Sequence, residues 1–366
     1  MLHRTRIAAP GPVVKQQEAR CDAGARLRRG AVGARAAPRC GQGVLASFSR
    51  CVFSGGVAQR STRGPRILAI GGGKGGVGKS VLTCNLGVLL ARSGRRVVLV
   101  DADLGGANLH TLLGIRSPRR TLADFLEKRV ATLQEVVCPT ATPELHLVSG
   151  TRALMEMANP KHAQKEKILR HLVSLDVDDV ILDLGAGSSF NVLDFFTAAK
   201  IGVVVVVPEP TSIENAYHFL KAAFYRRLRR CQPRPRVQSV VQRAMDERDR
   251  RGIRSPRDLL EAVRGMDPEL GERLMREAET FTPKILVNRV ERPEHRRLAE
   301  DIAVASRDYF GTDVRALGWV EHDPEVATAV LKRRPAVDLF PRGRFAVGLE
   351  RIAAQLCARG ETRHVG

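Results

Sequence analysis

Residues 71–80 read GGGKGGVGKS, placed between the apolar run RILAI and VLTCNLGVLLARSG, whose apolar residues recur at helical spacing. A glycine-rich loop joining a strand to a helix constrains a chain strongly. The backbone turns sharply, and the free amides at the helix start converge on one point. Two fingerprints fit the string. Gly73, Gly75 and Gly78 match the G-x-G-x-x-G of a dinucleotide turn, with Asp101 lying 23 residues beyond Gly78. Gly73, Gly78, Lys79 and Ser80 match the G-x-x-x-x-G-K-S of a phosphate-binding loop. The residues after Gly78 decide between them. A dinucleotide turn needs a small residue there for close helix–strand packing, whereas this chain has Lys79 and then Ser80. A lysine at a helix N-terminus opposes the macrodipole unless an anion offsets it. A triphosphate does so: loop amides cradle it, Lys79 reaches the β/γ oxygens and the Ser80 hydroxyl serves Mg2+. Lys79–Ser80 therefore exclude a dehydrogenase. The second lysine of the loop, Lys74, is left unexplained by this chemistry.

Downstream, strand-like runs alternate with helical stretches: RRVVLVDAD, ELHLVSG, DDVILDLGAG, IGVVVVVPEP, PKILVNRV and VRALGWV. Near-continuous Val/Ile/Leu runs of this kind belong to a sheet covered on both faces. The expected fold is α/β, a mostly parallel, doubly wound sheet of about seven or eight strands in a P-loop NTPase. The rhythm breaks once, over 231–282, where SPRDLLEAV and DPELGERLMREAE start helices; this reads as a helical insertion. Phosphoryl transfer also needs carboxylates at the ends of neighbouring strands. Asp101 and Asp103 close one strand in VLVDADLGGANL, and Asp183 closes another in VILDLGAG, followed by Gly185 and Gly187.

Net charge is +21, concentrated in two islands: +11 over residues 1–66 and +10 over 221–257. The seven cysteines contain no C-x-x-C pair, which argues against a structural zinc site, a metal cluster or a disulfide framework and suits a reducing cytoplasm. No apolar run approaches the roughly 20 residues of a membrane span. Residues 1–64 are rich in Arg, Ala and Gly and lack hydrophobic period. The expectations for them are a disordered leader or a start codon placed too early, with an arginine-rich transit leader as the rival reading. The ATPase domain is expected over 65–358, with 359–366 a tail. Over 212–230, Ile213, Ala216, Leu220, Ala223, Phe224 and Leu228 share one helical face, and Arg226, Arg227, Arg229 and Arg230 crowd the end. The alternatives there are a solvated helix terminus and a docking surface for DNA phosphates, anionic lipid or an acidic partner.

KGGVGKS, with its extra lysine, resembles the variant loop of the MinD/ParA family of P-loop ATPases (the deviant Walker A form). DADLGGANL, PEPTSIENAY, LVNRV and HDPEVATAVLKRRPAV extend the likeness toward the flagellar-number regulators, the FlhG/FleN branch. The resemblance implies an ATP-sandwiched homodimer, formed with ATP and Mg2+, in which Lys74 crosses to the other subunit's phosphates. It implies catalytic roles for Lys74, Lys79 and Asp103, with Asp103 orienting the attacking water. It implies nucleotide contacts from Gly73, Lys74, Gly75, Gly76, Val77, Gly78, Lys79, Ser80, Val81, Gly187 and Asn288, the last at the adenine. Ser80, Asp101 and Asp183 lie at the metal, Asp183 as the Walker B aspartate. The implied function is a hydrolysis-driven dimerisation switch in spatial regulation: flagellar placement, chromosome partition or division-site positioning. It is expected to be cytoplasmic or peripheral at membrane or nucleoid, and slow until an activating protein binds. A metal-cluster carrier or small-molecule ATPase of the same fold is the alternative, and cluster carriers use paired cysteines that this chain lacks. Leu184 departs from the family's small polar residue after Asp183. The C-terminal FAVGLERIAAQLCARG lacks the family's membrane-targeting helix, and its Val347, Leu349, Ile352, Ala353 and Leu356 are expected to close the core.

Overall fold

The apolar runs become a single eight-stranded sheet in the computed structural model, which describes residues 64–103, 106–150, 162–231, 243–244 and 252–358. The leader, the tail and much of the arginine-rich second island lie outside the described residues. Strand β1 is Arg66–Gly71, β2 Val97–Asp101, β3 Val137–Pro139, β4 Leu145–Val148, β5 Asp179–Asp183, β6 Ile201–Val206, β7 Lys284–Val290 and β8 Arg315–Glu321. Their spatial order is β3-β4-β2-β5-β1-β6-β7-β8. All neighbours run parallel except β3, which pairs antiparallel with β4 through Val137, Cys138 and Pro139. Sequence patterning anticipates the seven parallel strands and misses β3. Three residues ending in a proline carry no period, and a proline is tolerated there because β3 is an edge strand.

Strands buried on both faces need helices on both faces. One face is covered by α1 (Lys79–Arg92), α2 (Leu109–Leu112), α10 (Glu325–Leu331), α11 (Ala336–Leu339) and α12 (Arg344–Ala358); Leu82, Leu86, Leu90, Leu109 and Leu349 fill that layer. The other carries α3 (Leu122–Leu126), α4 (His162–Val173), α5 (Phe190–Ala198), α6 (Pro210–Cys231) and α9 (Leu298–Phe310), packed through Phe125, Phe196, Phe219, Phe224 and Phe310. The described part of the helical insertion is two helices, α7 (Pro256–Met266) and α8 (Pro268–Glu279). Each begins with a proline behind a capping residue: the Ser255 hydroxyl accepts from the Asp258 amide, and the Asp267 carboxylate from the Leu270 amide. Leu259, Leu260, Val263, Leu270 and Leu274 join the layer of α6 and α9, so the insertion thickens that face.

At the chain's far end, α12 buries Leu349, Ile352, Ala353 and Leu356 as expected, but Val347 is 48% exposed. It falls on the outer side of the helix, and Ala346 and Phe345 take the inner positions. Among the described residues no helix is long and apolar enough to cross a membrane.

Candidate nucleotide site

The loop leaves the C-terminal end of β1, where the sheet changes direction between β5 and β6, the place where open α/β sheets hold ligands. Two glycines are dictated by close approach. A Cβ at Gly73 would lie 2.1 Å from the Asn215 carbonyl oxygen, so the loop rests on the backbone of α6. Gly78 sits at φ +93°, and a Cβ there would meet Asn288 Nδ2 at 2.5 Å. Asn288, buried at the end of β7, donates from Nδ2 to the Val77 carbonyl at 2.8 Å. The loop is thus held on one side by α6 and on the other by β7, while Gly75 and Gly76 remain exposed. Lys79 opens α1, buried, with Nζ donating to the Lys74 carbonyl at 3.2 Å. Burial lowers its pKa, and the charges of Asp183 and Asp103 oppose that shift.

Asp101 and Asp183 face one another in register at the ends of β2 and β5. Burial pushes the Asp101 carboxyl up to about 6, although it accepts from the Asn108 and Leu109 amides through Oδ2 at 2.8 and 3.0 Å. Burial pushes Asp183 up to about 7, with the Asp101 charge adding to the effect and the Ser80 and Thr83 hydroxyls opposing it. Thr83 donates at 3.2 Å. The Asp101 Oδ1 atom is buried without a partner. Two adjacent buried carboxylates, one with an orphaned oxygen, form a site that a cation would complete. Asp103 is half-buried; its carboxylate borders both Gly106 and Gly185, on the loops that follow β2 and β5. Gly187, at φ +82°, has open space where a side chain would be, and its amide donates to the Gly72 carbonyl at 3.3 Å. Leu184 turns into the core at 2% exposure, so it does not enter the polar site.

Lys74 points elsewhere. Its ammonium lies 2.6 Å from Glu209 Oε2 and 3.1 Å from Thr211 Oγ1, at the start of α6. Within the single chain its ammonium is held at α6, and only its carbonyl engages Lys79. Beyond Gly78 opens a cleft of about 460 Å³. Val81, Val326, Ala327, Val330 and Phe345 supply apolar walls; Asn288, Arg289 and Asp323 supply polar edges. Asp323 is itself fixed, accepting from the Glu325 and Phe345 amides at 3.0 and 3.1 Å. Apolar walls with a few placed polar groups make a cleft of the kind that holds small organic ligands.

Of the residues singled out from sequence, the loop, Lys79, Ser80, Asp101, Asp103, Asp183 and Asn288 come together here. Thr83, Glu209 and Asp323 join them without being singled out by sequence pattern. Thr83 lies one helical turn from Ser80, a periodicity that points it at the same carboxylate. Glu209 and Asp323 carry no local signal, since each matters through a partner distant in sequence. The arginine cluster divides: Arg229 is exposed, the side chain of Arg230 lies outside the described residues, and the other two are paired. Arg226 makes a bidentate pair with Asp194 at 2.7 and 3.0 Å, and Arg227 pairs with Glu277 at 3.0 Å and donates to the Thr197 carbonyl. These two close the joins of α5, α6 and α8 and do not form an open docking surface.

The family profile "CobQ/CobB/MinD/ParA nucleotide binding domain" matches residues 68–336. The antiactivator FleN of Pseudomonas aeruginosa is 29% identical over 294 residues, spanning 80% of this chain and 86% of FleN. The flagellum site-determining protein YlxH of Helicobacter pylori is 32% identical over 158 residues, 43% of this chain and 53% of YlxH. Among solved structures, the septum site-determining protein MinD of Pyrococcus horikoshii, complexed with Mg-ADP, superposes with a TM-score of 0.56 at 21% identity, covering 81% of this chain and 98% of that one.

Proposed function

The chain belongs to the CobQ/CobB/MinD/ParA nucleotide-binding family, and on that premise we propose that it is an ATPase whose ATP-bound form pairs with a second copy and acts in spatial regulation. Placement of flagella is the reading favoured by the FleN and YlxH likenesses. The observation that carries it is the pairing of the strand–loop–helix with two buried carboxylates in register beside it. In this reading loop amides and Lys79 hold the β/γ-phosphates, and the cleft between α1, β7 and α10 takes the adenine against Asn288. Ser80, Asp101 and Asp183 would hold Mg2+, which supplies charge neutralisation at the phosphate oxygens. Asp103, beside Gly185, would orient the attacking water. Lys74 leaves Glu209 and reaches the phosphates of the second subunit.

The test is light scattering on the full chain with Mg-ADP and with Mg-ATP, using Asp103→Ala to block turnover. A dimer confined to ATP, and absent in Lys74→Ala, is the expected result. A mass that ignores nucleotide while ATP is still hydrolysed would overturn the sandwich. Because hydrolysis is expected to be slow alone, a stimulating protein partner is part of the proposal.

A further inference from the structure

Helix α10 forms one wall of the nucleotide cleft, yet burial scarcely holds it there. Of its seven residues only Ala329 is buried, and a small cavity bordered by Cys84, Ala329 and Val330 lies between it and α1. A helix this short does not persist alone in water, and one buried methyl group adds little. Polar ties at the two ends of the α10–α11 segment supply what packing does not. At its start the Asp323 carboxylate accepts from the Glu325 amide at 3.0 Å and from the Phe345 amide at 3.1 Å, which joins α10 to the start of α12. At its end the Asn85 Oδ1 atom of α1 accepts from the Val337 amide at 3.0 Å, while Nδ2 donates to the Val81 carbonyl at 2.8 Å. Two turns further along α1, Arg92 donates to the Val337 carbonyl at 3.3 Å and pairs with Asp338. Asn85 is buried, and neither it nor Arg92 lines the cleft. Val326, Ala327 and Val330 line the cleft from α10, with open space opposite them instead of a packing partner.

We propose that Asn85, Arg92 and Asp323 are positioning residues for the nucleotide base: they hold α10 where the base packs against it, so that part of the nucleotide's affinity is set from α1 outside the cleft. The proposal rests on the placement of adenine in that cleft. Phosphates and base are then held by two units built on the same helix. The loop joins α1 at its first turn, and the α10–α11 segment joins it through Asn85 and Arg92. The base supplies the apolar partner that α10 lacks, and its arrival closes the local opening to which a helix so little buried is prone.

The experiment is calorimetric titration of the full chain with ADP and with pyrophosphate, each with Mg2+. Pyrophosphate carries the two phosphates without the nucleoside, so the parent is expected to bind ADP more tightly. Asn85→Ala and Arg92→Ala should each raise the ADP dissociation constant about threefold to tenfold, the worth of one or two hydrogen bonds. Both should leave the pyrophosphate constant unchanged, which a general loss of stability would not do. Arg92 is 47% exposed, so its variant keeps the test decisive even where Asn85→Ala fails to fold. In the parent, amide hydrogen exchange over 325–331 should slow with ADP and not with pyrophosphate. Equal losses for both ligands would mean that these ties support the loop, and would overturn the proposal. So would unchanged ADP affinity in Arg92→Ala, or exchange over α10 that ADP leaves untouched. A parent that binds pyrophosphate as tightly as ADP puts the base outside the cleft; that sinks this proposal and leaves the phosphate loop standing. A parent that binds neither ligand removes the nucleotide reading itself, so the two failures are distinct.

Discussion

Lys74 touches Glu209 and Thr211 at once, and any crossing to another subunit begins by breaking those contacts. Both partners of the pair are solvent-accessible, at 37% and 52%, so water screens the contact. It is therefore a weak tether. Glu209→Gln should lower the protein concentration needed for the ATP-dependent dimer by about twofold to fivefold. A concentration series in light scattering reads this directly, and a dimer that becomes harder to form would mean that Glu209 serves the assembled state instead. The carboxylates carry the opposite economy. Asp183 is buried beside Asp101 and its pKa is raised to about 7, so its ionised form destabilises the nucleotide-free fold near neutral pH. Asp183→Asn keeps the acceptor for Thr83 and removes the charge. It should raise the melting temperature without magnesium, by a stabilisation of at least about 1 kcal/mol, while abolishing magnesium-dependent turnover. A lower melting temperature would show that hydrogen bonding at the carboxylate outweighs its desolvation.

At the scale of elements, three helices meet on one buried carboxylate. Asp194 of α5 accepts from Lys165 of α4 at 2.5 Å and from Arg226 of α6 at 2.7 and 3.0 Å; the Asp194 and Lys165 side chains are only 5% and 8% exposed. Burial alone would raise this carboxyl, but the bonds from Arg226 and Lys165 prevail and hold it below its ordinary value. Removing the carboxylate strands a buried ammonium. Asp194→Asn should cost about 3 kcal/mol, measured by denaturant midpoint at unchanged slope, whereas a loss under about 1 kcal/mol would mean that Lys165 escapes to water. Because α5 starts three residues after Gly187, this node also anchors the far end of the loop that borders Asp103. The amphipathic period of α6 was legible in sequence, since Ala216, Leu220, Ala223 and Phe224 are all buried. The fate of its arginines was not. A cation beside a helix end reads the same whether it meets water or a carboxylate folded in from 32 residues away.

For the whole molecule, ligand linkage gives the simplest check. Mg-ATP at a hundredfold over its dissociation constant adds about 2.7 kcal/mol to the folded state. The melting temperature of the chain should rise by several degrees, and that rise should vanish in Lys79→Ala; an equal rise in that variant would place the nucleotide away from the loop. What the amino-acid order determined by itself is the local grammar. Apolar runs of strand length alternating with helical period demand a covered parallel sheet, and Gly78-Lys79-Ser80 at a helix start demands an anion, because these follow from backbone sterics and nearest-neighbour charge. Only tertiary structure decided the rest. It set Asp101 against Asp183, turned Lys74 toward Glu209, sent Val347 outward and Leu184 inward, and paired Arg226 with Asp194. Each of those outcomes depends on which side chain another segment brings within reach, and electrostatics and burial act on distance in space, not along the chain.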